Sequence, residues 1–263
     1  MAPPKKEVLI LPNGGSGPGG NSWWAKRATG CLERIRLSDE YPVHPENFYK
    51  PTKTGPNAML VGSIVHRLIQ EEQEALRGPL QTKPAIYDDY WEWEPPQDAQ
   101  DEAWRIYQGW LKARKQWDVN ETKGIELLLT AELAPDIHAA ALVDRLVVDP
   151  DNVLCLEDLK TSARSGDNHS KGRTRLQLHL YTMVGWANGY DIQRIRVRQI
   201  IKTKEIKEEL FTLDLPDPLR EEWLVRYLQG ARAREKAGSF GPCGDECDFC
   251  PFGVEFGNGL CTL

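Results

Sequence analysis

Apolar positions along the chain alternate between two spacings, one near four residues and one of two. From residue 57 to 77, Leu60, Ile64 and Leu68 run beside Val61, Val65 and Ile69, a stripe at helical spacing that predicts an amphipathic helix with His66 at its flank. Trp104, Tyr107, Trp110, Leu111 and Trp117 repeat the spacing over 98–117. Residues 125–133, 139–148 and 152–161 are short runs rich in Leu, Val and Ile and read as strands. The second and third are joined by Asp149-Pro150-Asp151-Asn152, a turn signal that makes them a hairpin. A helix follows over 174–187, a strand pair over 193–204 and 207–213, and a long helix over 217–237 with Leu219, Trp223 and Tyr227 on one face. At the N-terminus, residues 1–21 read as flexible linker and 22–37 as a helix with Ser22 as a candidate N-cap. Residues 38–56 read as loop, 78–97 as an aromatic, acidic insert, and 238–263 as a Gly- and Cys-rich tail.

With 263 residues the chain has ample material for a core, as one large or two small domains. No apolar run reaches membrane-spanning length, and Val8-Leu9-Ile10-Leu11 is too short for a signal peptide core. A cytoplasmic protein is expected, in which six cysteines favour metal ligation over disulfides. The net charge of −6 argues against a simple nucleic-acid binder, yet positive charge is concentrated locally. Arg164, Lys171, Arg173 and Arg175 form a basic loop. Arg194, Arg196 and Arg198 fall at i, i+2 and i+4, and Lys202 and Lys204 keep that parity, so they would line one strand face. Such a stripe can track a phosphate backbone or can be a solvated face; its nearness to the acidic cluster described next favours DNA. No G-x-x-x-x-G-K-[ST] run occurs, so no ATP-driven motor is expected from these residues.

The chemistry-bearing residues concentrate between Asp144 and Tyr181. The hairpin sets Asp144 and Asp158 on adjacent strands, and Lys160 shares a strand face with Asp158. Two carboxylates and an ammonium on one sheet surface suit metal-assisted phosphodiester hydrolysis: the carboxylates hold Mg²⁺ or Mn²⁺ and the lysine orients water or neutralises charge on the phosphate. Glu157 points to the opposite face and is a poorer ligand. Gln177 and Tyr181 are four apart on one helix face. Trp91 and Trp93 could stack on bases, but acidic neighbours make packing the better expectation.

The ordered set His66, Asp144, Asp158-Leu159-Lys160 and Gln177-x-x-x-Tyr181 resembles the PD-(D/E)XK nuclease superfamily, and within it the RecB-like nucleases. The D-x-K triplet alone is common; the ordered set is far more specific and spans about half the chain. The resemblance implies an α/β fold: a mixed β-sheet flanked by helices, with an N-terminal helical addition and a C-terminal cysteine-rich tail. It divides the chain into a flexible segment (1–21), a helical region with the helix histidine (22–120), the nuclease core (121–215) and the last helix with the tail (216–263), all one compact unit. It implies His66, Asp144 and Asp158 as ligands of Mg²⁺ or Mn²⁺, with a glutamate on the preceding strand as a further ligand; Glu132 is preferred to Glu126. Lys160 would assist catalysis, and Gln177 and Tyr181 would contact DNA or the lysine. The implied activity is that of a DNA exonuclease in recombination, repair, phage replication or CRISPR adaptation, in a bacterial, archaeal or phage-infected cytosol. A homo-oligomer or a recombination or CRISPR partner is compatible with it. The alternative is a catalytically silent DNA-end-binding or assembly subunit, against which the intact Asp144, Asp158 and Lys160 speak.

Cys243, Cys247, Cys250 and Cys261 form a metal-site pattern in the tail, and Cys31 lies far away. One N-terminal cysteine with a C-terminal group of three is similar to the iron–sulfur subgroup of RecB-like nucleases, which includes CRISPR-associated exonucleases and the AddB nuclease domain. That implies a [4Fe–4S] cluster on Cys31, Cys247, Cys250 and Cys261. Cys243 departs from the pattern and leaves open a structural zinc on the four tail cysteines. Cys155, between Leu154 and Leu156, is expected to be a buried small hydrophobe.

Overall fold

In a computed structural model, residues 10–11, 15–16, 51, 55–74, 80, 82–84, 93–114, 122–135, 137–166 and 172–237 are described. The expected helix over 22–37, Trp91, Trp117, Lys171 and all the cysteines except Cys155 lie outside them, as does the side chain of Arg173. Inside the stretch expected to be flexible linker, Ile10–Leu11 pairs antiparallel with Gly15–Ser16.

Five strands form one mixed sheet in chain order: β1 (Thr122–Ala134), β2 (Ile137–Val148), β3 (Leu154–Ser162), β4 (Arg194–Lys202) and β5 (Ile206–Leu213). β1–β2, β2–β3 and β4–β5 are antiparallel. β3 and β4 are parallel, connected through a helix, as a parallel pair requires. Helices α1 (Ala58–Glu74) and α2 (Gln97–Ala113) cover one face; α3 (Gly172–Ala187) and α4 (Pro218–Lys236) cover the other. The expected α/β architecture is therefore present, with boundaries within a few residues of those the pattern predicts.

Local chemistry sets the ends of these elements. Asn57 caps α1, its Oδ1 accepting the Met59 and Leu60 amides at 2.9 and 3.3 Å. Asp217 caps α4 by accepting the Arg220 amide at 2.7 Å, with Pro218 in the first helical position. The β2–β3 turn is an Asx turn: Asp149 Oδ1 accepts the Asp151 and Val153 amides, and Asn152 takes the left-handed conformation (φ 60°) that asparagine tolerates.

Two apolar cores sandwich the sheet. Under α1 and α2 lie Val65, Leu68, Ile106, Tyr107, Trp110, Leu159 and Ile200. Under α3 and α4 lie Val143, Leu146, Leu156, Leu178, Val184, Val197, Leu224 and Leu228. Trp93 is buried in the first core, in line with the packing expectation, and Cys155 is fully buried. On the last helix the face of Leu219, Trp223 and Tyr227 is exposed, while Leu224, Leu228 and Ala231 are buried.

Candidate active site

The register of the sheet brings three acids into one row. Ile125 pairs with Arg145 and Leu127 with Val143, so Glu126 stands opposite Asp144. On the other side the β2–β3 ladder ends at Arg145–Glu157, one residue before Asp144 and Asp158 would pair. Asp144 thus sits where the ladder is interrupted on both sides, and its Oδ2 accepts the Leu159 amide at 2.7 Å. Glu126 has a left-handed backbone (φ 47°), uncommon for a residue with a side chain and found most often where function demands it.

His66 reaches the row from α1. Its Nδ1 lies 3.8 Å from Asp144 Oδ2. Gly62, one turn earlier, faces β3 so closely that a Cβ there would stand 2.8 Å from Thr161 Oγ1, so the missing side chain lets α1 lie against the strand of Asp158 and Lys160. Burial first, and the Lys160 charge second, lower the His66 pKa to about 4, so the imidazole is neutral at physiological pH with a lone pair to offer. His66, Glu126 and Asp144 each present a ligand atom within 4.8 Å of the others. A cleft opens beside them, lined by His66, Gln70, Glu126, Asp144 and Arg145.

Lys160 Nζ lies 2.8 Å from Asp158 Oδ1 and 2.7 Å from Oδ2, although only the first contact has hydrogen-bond geometry. Burial pushes Asp144 and Asp158 up from the ordinary carboxylate range, against the pull of the Lys160 charge. Burial alone would lower Lys160, but the Asp158 and Asp144 carboxylates outweigh it and hold the ammonium protonated. Three acidic side chains thus face one ammonium, and Asp158 Oδ2, ion-paired with Lys160, is buried without a partner in hydrogen-bond geometry. Carboxylate oxygens and a neutral imidazole within reach of one point are a donor set that fits a divalent cation.

Gln177 donates to the Tyr181 hydroxyl at 3.1 Å, and Tyr181, fully buried, is close enough to act on the Lys160 charge. Their helix is tied down by His179, whose Nε2 is 3.0 Å from the Asp214 carbonyl. Gln199, directly across the parallel ladder from Lys160, is buried, and its Nε2 donates to the Arg164 carbonyl at 2.8 Å. It therefore anchors the turn that carries Arg164, whose side chain is exposed.

Two expectations are corrected by this arrangement. Glu132 pairs with His138 near the far end of the β1–β2 hairpin and is exposed; Glu126 is the glutamate beside Asp144. Counting outward from the tight turn between Ala134 and Ile137 would bring Leu127 opposite Asp144; a register shift between Glu132 and Ala134 moves the pairing by one residue and sets Glu126 there instead, which the spacing of the sequence does not reveal. Arg196 and Arg198 of the β4 stripe do not face solvent, whereas Arg194 is part-exposed and pairs with Asp149 and Asp151 of the β2–β3 turn. Arg198 is 2% exposed and donates to both oxygens of Glu157, at 3.0 and 3.1 Å, while a further nitrogen contacts Glu208. Arg196 Nε lies 3.4 Å from Glu157 and Arg145 Nη1 donates to it at 3.1 Å. The stripe faces the α1–α2 layer, so Arg196 and Arg198 neutralise a buried glutamate and are withdrawn from any DNA surface. Burial raises the Glu157 pKa, but the Arg198, Arg145 and Arg196 charges outweigh it and keep Glu157 ionised. Arg175 is 3.4 Å from Asp214 and half-exposed.

A family model described as the PD-(D/E)XK nuclease superfamily matches residues 31–254. Among solved structures, a “putative exonuclease” from Eubacterium rectale shares 13% identity over 86% of this chain and 84% of its own, with a TM-score of 0.51. The crystal structure of SSO0001 shares 15% identity over 87% of this chain and 82% of its own, with a TM-score of 0.42. No curated protein matches the chain in sequence.

Proposed function

The chain belongs to the PD-(D/E)XK nuclease superfamily, and on that premise we propose that it is a Mg²⁺- or Mn²⁺-dependent deoxyribonuclease that removes nucleotides from DNA ends. The observation that carries the reading is the row Glu126–Asp144–Asp158 at the interruption of the sheet, with His66 on one side and Lys160 on the other. Residue types alone could arise by chance; five such groups converging on one point of the fold is far less probable. The likeness to the Eubacterium rectale protein agrees with the fold.

Glu126, Asp144 and His66 would hold the cation, with Asp158 Oδ2 as a further oxygen. Once bound, the cation supplies a Lewis acid that makes water a nucleophile near neutral pH and steadies the leaving oxygen. Lys160 keeps its proton and so works as a fixed positive charge, not as a base. It faces the charge that grows on the non-bridging phosphoryl oxygens as the phosphorus–oxygen bond breaks. Gln177 holds the Tyr181 hydroxyl, and through it the rim of the site beside Lys160. Arg164, exposed at the end of β3, with Lys171, Arg173 and Arg175 near it in sequence, would meet the phosphate backbone.

Digestion of end-labelled single- and double-stranded DNA with Mg²⁺ or Mn²⁺ tests this. The wild type should degrade at least one substrate and Lys160→Ala none, the released label reporting polarity. Equal degradation by Lys160→Ala, or none by the metal-loaded wild type, would overturn it.

A further inference from the structure

The turn that leaves β3 is fastened at successive residues. Within it, Ser162 Oγ donates to the Arg164 carbonyl at 2.9 Å and accepts the Arg164 amide at 3.2 Å. From outside it, Gln199 Nε2 donates to the same carbonyl at 2.8 Å. The Ser165 hydroxyl donates to Glu209 Oε1, and Glu209 Oε2 accepts the Gly166 amide at 3.0 Å. Gly166 has φ 106°, a conformation open to glycine and strained for other residues. The two outside anchors stand in line with the site. Lys160 pairs with Gln199 across the parallel ladder, and Gln199 pairs with Glu209 across β4–β5. Directly opposed residues share a sheet face, so all three lie on the face of Lys160.

Stability alone does not account for Gln199. It is fully buried, and because a carbonyl can only accept, its amide nitrogen must face Arg164; Oε1 is left inside without a hydrogen-bond partner. A buried orphan acceptor is unfavourable, and an apolar side chain of the same shape would avoid it. What the amide secures is the Arg164 backbone, and with it the direction of an exposed guanidinium. Among the described residues no acid pairs with that guanidinium, whereas Arg175, Arg194, Arg196 and Arg198 all contact carboxylates.

We propose that Gln199 and Glu209 are positioning residues for DNA: they fix the turn so that Arg164 meets a phosphate close to the one held at Lys160. The proposal rests on the nuclease reading and names how that site grips the backbone of its substrate. Four residues of extended chain reach at most about 14 Å, so Arg164 stays within a few phosphates of Lys160. A turn already held in place loses less freedom when the phosphate arrives than a loose one does, and the difference appears as affinity.

Binding of a fluorescein-labelled oligonucleotide is followed by anisotropy at several salt concentrations. The full-length protein carries Lys160→Ala so that the DNA stays intact. Arg164→Ala should lower the slope of log affinity against log salt by about 0.7–0.9, the loss of one phosphate contact. Gln199→Met and Glu209→Ala should each weaken binding by ~3-fold or more while Arg164 is present. Once Arg164 is replaced by alanine the same changes should cost less than ~1.5-fold, because residues that act through one another are not additive. Glu209→Gln, which can still accept from the Gly166 amide, should retain the parent affinity. Losses of equal size with and without Arg164 would reduce Gln199 and Glu209 to structural residues and overturn the proposal, as would unchanged affinity in both variants. Glu209 is only half-buried, so Glu209→Ala carries the test should Gln199→Met fail to fold. Because binding is read without cleavage, its failure is distinct from failure of the digestion assay.

Discussion

Replacing Arg198 by methionine removes a buried guanidinium while leaving most of its apolar stem. The guanidinium donates twice to Glu157 and contacts Glu208, all three groups being nearly inaccessible to water. Removing one partner of a buried ion pair costs about 3–5 kcal/mol, because the acid left behind stays charged and desolvated. Glu157 keeps Arg145 at 3.1 Å and Arg196 at 3.4 Å, and Glu208 keeps the Trp110 indole N–H at 3.2 Å. The loss should therefore lie near the lower end, about 3 kcal/mol. For a chain of this size that lowers the melting temperature by roughly 6–12 °C. Urea unfolding followed by circular dichroism gives the free energy; salt titration of DNA binding by folded protein gives the number of phosphate contacts. A buried structural arginine should leave the salt slope unchanged, whereas each lost phosphate contact lowers it by about 0.9. Stability within ~0.5 kcal/mol of wild type together with a reduced salt slope would refute the assignment and return Arg198 to the DNA surface.

Glu126→Gln should weaken Mn²⁺ binding by ~10-fold or more in calorimetry, whereas Glu132→Gln should leave it unchanged; equal effects would place the cation elsewhere. The His66 pKa is near 4 in the folded chain and 6.5 when unfolded, so the native state binds fewer protons between those values and loses stability as pH falls from 6.5 toward 4. Urea titrations in chelator at several pH values should show a shallower fall for His66→Gln, and an identical slope would mean His66 is not the group involved. Anaerobic purification and metal analysis should find about four irons per chain with visible absorbance if Cys31, Cys247, Cys250 and Cys261 hold a [4Fe–4S] cluster; one zinc and no colour would point instead to a site on Cys243, Cys247, Cys250 and Cys261. Gly62→Ala should reduce both stability and DNA cleavage, since its Cβ would press on Thr161 and lift α1, and His66 with it, from β3; activity equal to wild type would show that Thr161 gives way without moving the helix.

The elements of the sheet and the order of site residues were legible because they depend on local spacing. Alternation and turn chemistry marked β2 and β3, and the Asp149 turn joined them as expected, so Asp144, Asp158 and Lys160 could be seen to converge. Glu126 was harder. A strand with acids at 126 and 132 offers two candidates, and the difference between them is a register, which belongs to a pair of strands and not to either alone.

Residue spacing determined that Arg194, Arg196 and Arg198 share one side of a strand and that Leu219, Trp223 and Tyr227 share one side of a helix, since both follow from backbone periodicity. Which of those sides meets water was decided by tertiary packing. Arg196 and Arg198 fall under α1 and α2, where Glu157 and Glu208 make their burial tolerable, while Arg194 stays part-exposed at the β2–β3 turn. The aromatic side of α4 is left outward because Leu224, Leu228 and Ala231 supply the better match to the core formed by β2 and α3. Periodicity groups side chains by direction, but burial depends on what the rest of the chain lays against each face, and that information is distributed over residues far apart in sequence.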